Sequence, residues 1–264
     1  VVGIPGLLVA LLMLTVREPY RRGKIKMAGA GNSDEISVGE VATFLKQRWK
    51  MFASHFIGMS VVTILGYAYF SWLPTMFIRT WGWTIGEISF AYGIIMLITV
   101  PIGANLGGWL SDWFYKKGHK DGHMRANLYG VILLMAIPYP LAPLMPTPTL
   151  ALIVLVFGSV GGAWVTATGA ASLMMICPNQ MRGQISALYY FVLSLLGLTI
   201  GPSAVAVVTD FVFKDEMMLR YSLALTCGIA GVLGVVLLGY NLKLYRAAVI
   251  ESEAWVGDGQ PRAS

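Results

Sequence analysis

Long runs of residues without a formal charge constrain this chain more than any other feature. Twenty-eight uncharged residues separate Lys50 from Arg79, with His55 counted as neutral. Three further runs, of 24, 27 and 22 residues, lie between Glu87 and Asp112, Arg182 and Asp210, and Arg220 and Lys243. Each run exceeds the roughly 20 residues that a helix needs to cross about 30 Å of hydrocarbon. Because lipid offers no hydrogen-bond partner to an open backbone, these runs predict membrane-spanning helices.

The longest uncharged run, 56 residues between Arg125 and Arg182, is long enough for two helices. A proline-rich segment, PYPLAPLMPTP from Pro138 to Pro148, is predicted to divide it, because proline lacks the amide donor and clashes with the preceding turn. The chain therefore has six full spans from Met51 onward. Only 12% of its residues are charged, about half the share of a soluble domain. The predicted fold is all-α, a polytopic membrane helix bundle.

The chain is predicted to divide into four regions, one of which contains the six spans. Residues 1–16 are hydrophobic but short of a full crossing and lack a basic start, which is typical of the end of a helix and not of a signal peptide. Residues 17–50 form a basic linker, in which Ser37 and Glu40 have the spacing of a helix capping box before an amphipathic helix. Residues 51–246 contain the six spans, and residues 247–264 form a tail.

Lysine and arginine are distributed unevenly between the two sides of this predicted topology. The linker, the loop from Lys116 to Arg125, the loop with Arg182, and the C-terminal segment from Lys243 onward together carry 16 of the 19 basic residues. The positive-inside rule therefore places these segments, including the C-terminus, in the cytoplasm of a cell with the spans in its cell membrane. The net charge of +6 follows from this topology, so it gives no reason to expect a nucleic-acid partner.

The second full span ends in GGWLSDWFYKKGHK, residues 107–120. Gly103 and Gly107 are four residues apart, and Ala104 and Gly108 repeat that spacing, which lets another helix backbone approach closely. Asp112 lies one turn beyond Gly108, where its carboxylate can accept hydrogen bonds from a neighbouring helix N-terminus. The positive-inside rule alone could account for the basic residues that follow.

This segment resembles the signature of the major facilitator superfamily, Gly-x-Leu-Ala/Ser-Asp followed by paired bases. The matching residues are Gly108, Leu110, Ser111, Asp112, Lys116 and Lys117, and Trp113 departs from the pattern where the family usually has a base. The resemblance implies that the spans are helices 7–12 of a twelve-helix transporter, that residues 1–16 end helix 6, and that an N-terminal six-helix half is missing. TVREPYRRG and MRGQISALYYFVLSLLGLTIGP are most similar to the spinster-like branch.

The resemblance also implies secondary active transport by alternating access, with membrane lipid, a small-molecule substrate and the missing half as partners. The residues then expected to act in gating are Gly108, Asp112, Lys116, Lys117, Arg182, Gly197, Gly201 and Pro202.

Polar and aromatic side chains within the spans are the candidates for substrate contact, because a hydroxyl or indole in lipid costs less when it faces water or a ligand. An almost uncharged aromatic wall suits a small organic or amphipathic solute. The alternative is that each group bonds to a neighbouring helix or to its own backbone. The candidates are Thr63, Tyr67, Tyr92, Trp164, Thr168, Tyr189, Tyr190 and Ser194.

Other function classes have little support in the sequence. No set of nucleophile, base and acid occurs at one depth, so neither an enzyme nor a bound cofactor is predicted. His119 and His123 have a spacing that could hold a metal on a helix, but they flank a loop, and no metal site is predicted. A heptahelical receptor is the alternative, because the short first segment plus six spans gives seven hydrophobic segments.

Overall fold

The computed structural model describes Thr15 and residues 37–258, with side chains up to residue 252. The predicted end of helix 6, most of the linker and the end of the tail therefore lie outside the described residues. Within the described part, all regular structure is helical, and six helices are long and apolar enough to cross a membrane. The predicted all-α membrane bundle is confirmed.

The amphipathic helix before the first span is α1, Val38–Gln47. Its predicted capping box is present: the Ser37 hydroxyl accepts from the Glu40 amide, and the Glu40 carboxylate accepts from the Ser37 amide. These bonds satisfy two of the amides that a helix start leaves unpaired. Val41 and Phe44 are buried, and the Phe44 ring packs edge-on against Phe52 at 5.8 Å, so α1 is held against the start of the bundle.

Most helices of the six spans begin and end near the charges that bound the predicted runs, whereas the last helix continues past Lys243 to Asp258. The helices are α2 (Trp49–Trp81), α3 (Ile85–Lys116), α4 (Gly122–Leu134) with the short α5 (Pro138–Leu141), α6 (Pro148–Ile176), α7 (Arg182–Val207) and α8 (Leu219–Asp258). A π-helical segment, Val208–Phe213, extends α7. Gly82 ends α2 with a φ of 70°, and a second capping box, Thr84 with Glu87, starts α3.

The proline-rich segment separates the third span from the fourth only near its C-terminal end. The chain bends after α4, continues through α5 and a 3₁₀ turn at Ala142–Leu144, and stops being helical at Met145. Thr147 then caps α6, whose first residue is Pro148. Proline is tolerated in the first turn of a helix, where its missing amide needs no partner. The first prolines of the segment therefore belong to the third span.

Two sets of helices build the bundle. α2 packs mainly against α7 and α8, whereas α3 packs mainly against α6 and α4. Glycines set the spacing in both sets: a Cβ at Gly103 would lie 2.3 Å from the Val160 carbonyl oxygen of α6, and one at Gly201 would lie 2.9 Å from the Ile64 carbonyl oxygen of α2. These helix pairs are in backbone contact, which only glycine permits at those positions.

Polar contacts join the two sets in the membrane interior. The Tyr69 hydroxyl of α2 donates to the Tyr139 carbonyl of α5, and the two rings stack at 4.6 Å. The Tyr245 hydroxyl of α8 donates to the Ser172 carbonyl of α6 at 2.9 Å. Within the first set, the Asn241 amide of α8 donates to the Met51 carbonyl of α2 at 2.8 Å. Because these groups are buried, losing a partner would leave an unsatisfied polar atom.

The two small-residue stripes of α3 allow a matched test of this packing. In the 264-residue chain, we expect Gly103→Ala to lower the free energy of unfolding by about 1–3 kcal/mol, because the backbone of α6 cannot yield to the added carbon. Gly108→Ala has nothing within 4 Å of the new Cβ, so it should be neutral or stabilise by up to about 1 kcal/mol. Thermal unfolding in detergent measures both, and equal melting points would contradict the predicted backbone contact.

Candidate functional site

A cavity of about 700 Å³ opens between α2, α3, α6 and α7. Its lining is apolar and aromatic, interrupted by hydroxyl groups, and no charged side chain lines it in the described part of the chain. Six of the eight residues predicted to contact substrate lie in this lining: Thr63, Tyr67, Tyr92, Tyr189, Tyr190 and Ser194. These six side chains come from three helices, α2, α3 and α7, that are far apart in sequence and meet at one place.

Thr63 and Tyr67 lie one turn apart on α2, where α7 comes closest. A Cβ at Gly197 would lie 2.8 Å from the Thr63 methyl and 2.7 Å from the Tyr67 ring. The Thr63 hydroxyl donates to the Met59 carbonyl of its own helix at 2.8 Å, so its donor is already used. Gly197 therefore leaves room for the Thr63 and Tyr67 side chains at the edge of the cavity. Tyr67 is the larger of the two side chains that pack against this glycine.

Tyr189 and Tyr190 are neighbours on α7 with different surroundings. Tyr189 is buried, and its ring packs against Phe56 at 5.5 Å and His55 at 5.7 Å. No described residue is a hydrogen-bond partner for its hydroxyl, which points to where a Cβ of Gly169 would be, at 2.8 Å. Tyr190 is 46% exposed. Tyr189 therefore packs behind the cavity wall, and Tyr190 presents the open ring of the pair.

Trp164 and Thr168, the other two predicted substrate residues, do not line the cavity. The buried Thr168 hydroxyl donates to Asn127 Oδ1 of α4 at 2.6 Å. A Cβ at Gly107 would lie 2.6 Å from the Trp164 indole, and one at Gly130 3.2 Å. Both side chains therefore pack α6 against α3 and α4. Thr168 follows the alternative that the sequence left open, a bond to a neighbouring helix, whereas the buried Trp164 indole has no hydrogen-bond partner among the described residues.

Three polar residues that line the cavity are not among the eight candidates: Thr166, Ser159 and Tyr139. Thr166 is exposed and stands on the opposite face of α6 from Thr168. A signal for it was available, because Thr166 continues the spacing of four from Gly162, and Gly162 also lines the cavity. That face of α6 is the open one, whereas the Trp164 face is covered by packing.

The signature segment at the end of α3 has one buried stripe and one uncovered stripe. Gly103 and Gly107 are buried against α6, whereas nothing lies within 4 Å of a Cβ at Gly108. Ala104, one turn before Gly108, lines the cavity. Asp112, one turn beyond it, is exposed and forms no ion pair with any described residue. The second stripe therefore runs from the cavity to a carboxylate without a covering helix.

The basic residues of the segment are exposed at the end of α3. The Lys117 ammonium lies 4.0 Å above the ring of Trp113, the residue that departs from the superfamily signature. A cation over an indole face is an attractive contact of about 0.5–1 kcal/mol at an exposed site. Trp113 thus interacts through its ring with Lys117, while Lys116, the other member of the basic pair, is exposed nearby.

The other residues predicted to act in gating lie on α7. The Arg182 guanidinium donates to the Cys177 carbonyl at 3.2 Å and so closes the loop between α6 and α7. Gly197 and Gly201 contact α2, and the Pro202 carbonyl accepts from the Trp72 indole of α2 at 2.9 Å. These three residues form one seam along the cavity. No group of three metal-ligating side chains lies together in the described residues.

Comparisons with known proteins agree on one family. The family model described as Major Facilitator Superfamily matches residues 1–202. Two crystal structures of a bacterial homolog of the human lysosomal transporter Spinster, inward-facing and either unoccupied or occupied, match 99% of the chain at 22% and 21% identity, with TM-scores of 0.59 and 0.57. The uncharacterized transporter YybO of Bacillus subtilis (strain 168) is 26% identical over 95 residues, which cover 34% of this chain and 21% of YybO.

The chain spans only part of these proteins. It covers 60% and 58% of the two solved chains, although nearly all of its own length is matched.

Cysteine labelling tests which face of α6 lines the cavity. In the full-length protein, we expect Thr166→Cys to react with a small water-soluble thiol reagent and Thr168→Cys, two residues away but buried, to react at least about tenfold more slowly. The two native cysteines of this chain, Cys177 and Cys227, are both buried and therefore add little background. Equal reaction rates would contradict the assigned faces.

Proposed function

Because the chain belongs to the major facilitator superfamily, we propose that it forms the C-terminal half of a secondary active transporter. This transporter moves a small organic or amphipathic solute across the cell membrane by alternating access. The family consists of transporters and not of enzymes, and the six spans make the chain a multi-pass membrane protein. The basic loops and the C-terminus face the cytoplasm in this proposal, as the positive-inside rule predicts.

The cavity is the observation that carries this proposal. Two aromatic side chains of its lining, Phe70 and Tyr190, remain 78% and 46% exposed, so these four helices enclose the space only partly. A binding site in a transporter of this kind lies near the bilayer midplane, between two repeats that move against each other. We therefore infer that the partly open cavity is one wall of a binding site that a second six-helix half completes. The 60% coverage of the similar solved chain supports the same conclusion.

The chemistry of the lining indicates the class of solute. Apolar and aromatic side chains dominate, and the exposed hydroxyl-bearing residues of the lining are Tyr190, Ser194 and Thr166, of which the Thr166 hydroxyl already donates to the Gly162 carbonyl at 2.7 Å. An inorganic ion would need charged or densely polar ligands to replace its water shell, and this wall supplies none. A solute with apolar surface and a few hydrogen-bonding groups fits this wall. The family match favours this function over a heptahelical receptor.

Transport by the full-length protein and by the isolated 264 residues tests the proposal directly. Liposomes that contain the full-length protein should accumulate at least one solute from a defined mixture of amphipathic organic compounds. Liposomes that contain only the 264 residues should accumulate none, because alternating access needs both halves. Uptake by the isolated chain in liposomes free of other protein would contradict the two-half reading, and no uptake by the full-length protein would contradict the solute class.

A pair of adjacent aromatic residues provides a matched test of the cavity. Tyr190→Ala should lower uptake roughly threefold to tenfold, because an aromatic contact with the solute is lost. Phe191→Ala removes a ring of similar size from the next position, which is 62% exposed and lies outside the cavity lining. Its uptake should equal that of the parent protein. Equal effects of the two changes would remove the cavity as the solute site.

Asp112 is proposed to act as a latch between the halves when the cytoplasmic side is closed. Its carboxylate would accept hydrogen bonds from a helix end of the other half, and the uncovered stripe at Gly108 would allow the close approach. A charge-assisted bond of this type contributes about 1.5–3 kcal/mol. Since about 1.4 kcal/mol is a tenfold change in a two-state ratio, we expect Asp112→Asn to shift the population toward inward-open roughly tenfold. Gly108→Leu should act in the same direction.

Labelling of single cysteines on each side of the full-length protein measures this shift. Asp112→Asn should raise labelling on the cytoplasmic side and lower it on the other side. Asp210→Asn is the control, because Asp210 is an exposed carboxylate near the other end of the bundle. If Asp112→Asn behaves like the control, Asp112 is only a solvated helix end.

A further inference from the structure

A second concave surface lies apart from the cavity, between α8 and the α5 region. It is a groove of about 610 Å³, and none of its lining residues belongs to the cavity. Pro140 and Leu144 form one wall, and residues of α8 between Ala224 and Leu233 form the other. At about 1.5 Å per residue, that stretch of α8 is about 13 Å long. The groove is thus an open apolar depression along α8.

Glycine makes this groove deep along its middle. Gly228 lines it, and the nearest atom to a Cβ at that position would be the Pro140 Cβ, at 3.9 Å. The neighbouring Leu225, Ile229 and Val232 remain 42%, 54% and 64% exposed. A side chain at position 228 would enter the groove without meeting the backbone. The groove is therefore vacant space along apolar walls, with the dimensions of a hydrocarbon chain segment.

Arg220 lies at the end of the groove, one helical turn before Ala224. Its guanidinium donates to the Pro143 and Met145 carbonyls at 2.9 and 3.0 Å, on either side of the groove residue Leu144. No carboxylate among the described residues pairs with it. Backbone carbonyls hold the guanidinium in place but do not neutralise its charge. The groove consequently ends at a fixed cation.

Aromatic rings around Arg220 indicate its depth in the membrane. The guanidinium lies 5.7 Å from the Trp81 ring centroid and 5.5 Å from that of Tyr221. Tryptophan and tyrosine concentrate at the level of the lipid head groups. Arg79, on the same side of the membrane, differs because it pairs with Glu216 at 2.8 Å. Of these two arginines, the one without a counter-ion is the one at the groove.

We propose that Arg220 and this groove bind one anionic phospholipid, with its phosphate at the guanidinium and an acyl chain along α8. Guanidinium groups recognise phosphate oxygens through paired, charge-assisted hydrogen bonds. The apolar walls bind the chain, so the site needs both parts of the lipid. This site is separate from solute transport and lies in the leaflet where α8 begins.

Lipid binding to the purified, delipidated full-length protein tests the site. Native mass spectrometry with phosphatidylglycerol and phosphatidylcholine of identical acyl chains should show one anionic lipid bound roughly tenfold more tightly. Arg220→Gln should remove this preference. Gly228→Leu, which fills the groove, should weaken binding of both lipids. Arg79→Gln and Gly239→Leu are the controls: they remove a paired arginine and fill open space elsewhere on α8. Both should behave like the parent.

Three results would overturn the proposal. One is unchanged phosphatidylglycerol affinity in Arg220→Gln, and another is unchanged affinity in Gly228→Leu. The third is glycerol 3-phosphate binding as tightly as phosphatidylglycerol, which would indicate a site for the anion alone. Gly228→Leu keeps the test decisive even if Arg220→Gln unfolds, because the 3.9 Å spacing leaves room for its Cβ.

Discussion

Close approach of helix backbones at glycine is the contact on which the rest of this structure depends. Gly103 brings α3 against the α6 backbone, and Gly201 brings α7 against that of α2. In lipid, apolar side chains gain little from leaving the solvent, so helix association depends on close packing and interhelical hydrogen bonds. The two seams hold the four helices whose other faces line the cavity. A larger residue at either glycine would move a wall of the site.

The same helix can serve both the interior of the bundle and an outer contact because its two small-residue stripes lie on different faces. On α3, the Gly103 stripe is used for internal packing, whereas the stripe through Gly108 to Asp112 has no covering helix among the described residues. Gly108 meets no other helix among the described residues, so its small size has no packing role there. Its position beside the cavity residue Ala104 is consistent with a surface that another helix meets.

Neutral hydrogen bonds and ion pairs lie in different parts of this bundle. The interior has hydroxyl and amide groups that bond across helices, as Thr168 does with Asn127 and Tyr245 with the Ser172 carbonyl. Ion pairs lie at the ends, with Arg48 paired to Glu251 and Arg79 to Glu216. Placing the charges at the ends avoids the cost of burying them in hydrocarbon. Arg220 also lies near an end, but only carbonyls hold it, which is why its charge is available to a lipid phosphate.

The sequence alone determined the number of spans and the capping box at Ser37, because lipid leaves the backbone no alternative to the helix and capping is local. Only the tertiary structure decided which face of each helix is covered. Thr166 and Thr168 are equally polar and two residues apart, yet one lines the cavity and the other bonds Asn127. Gly103 and Gly108 differ in the same way. In a membrane helix the lipid-facing and protein-facing sides are both apolar, so the pattern of residues does not distinguish them, and the position of neighbouring helices does.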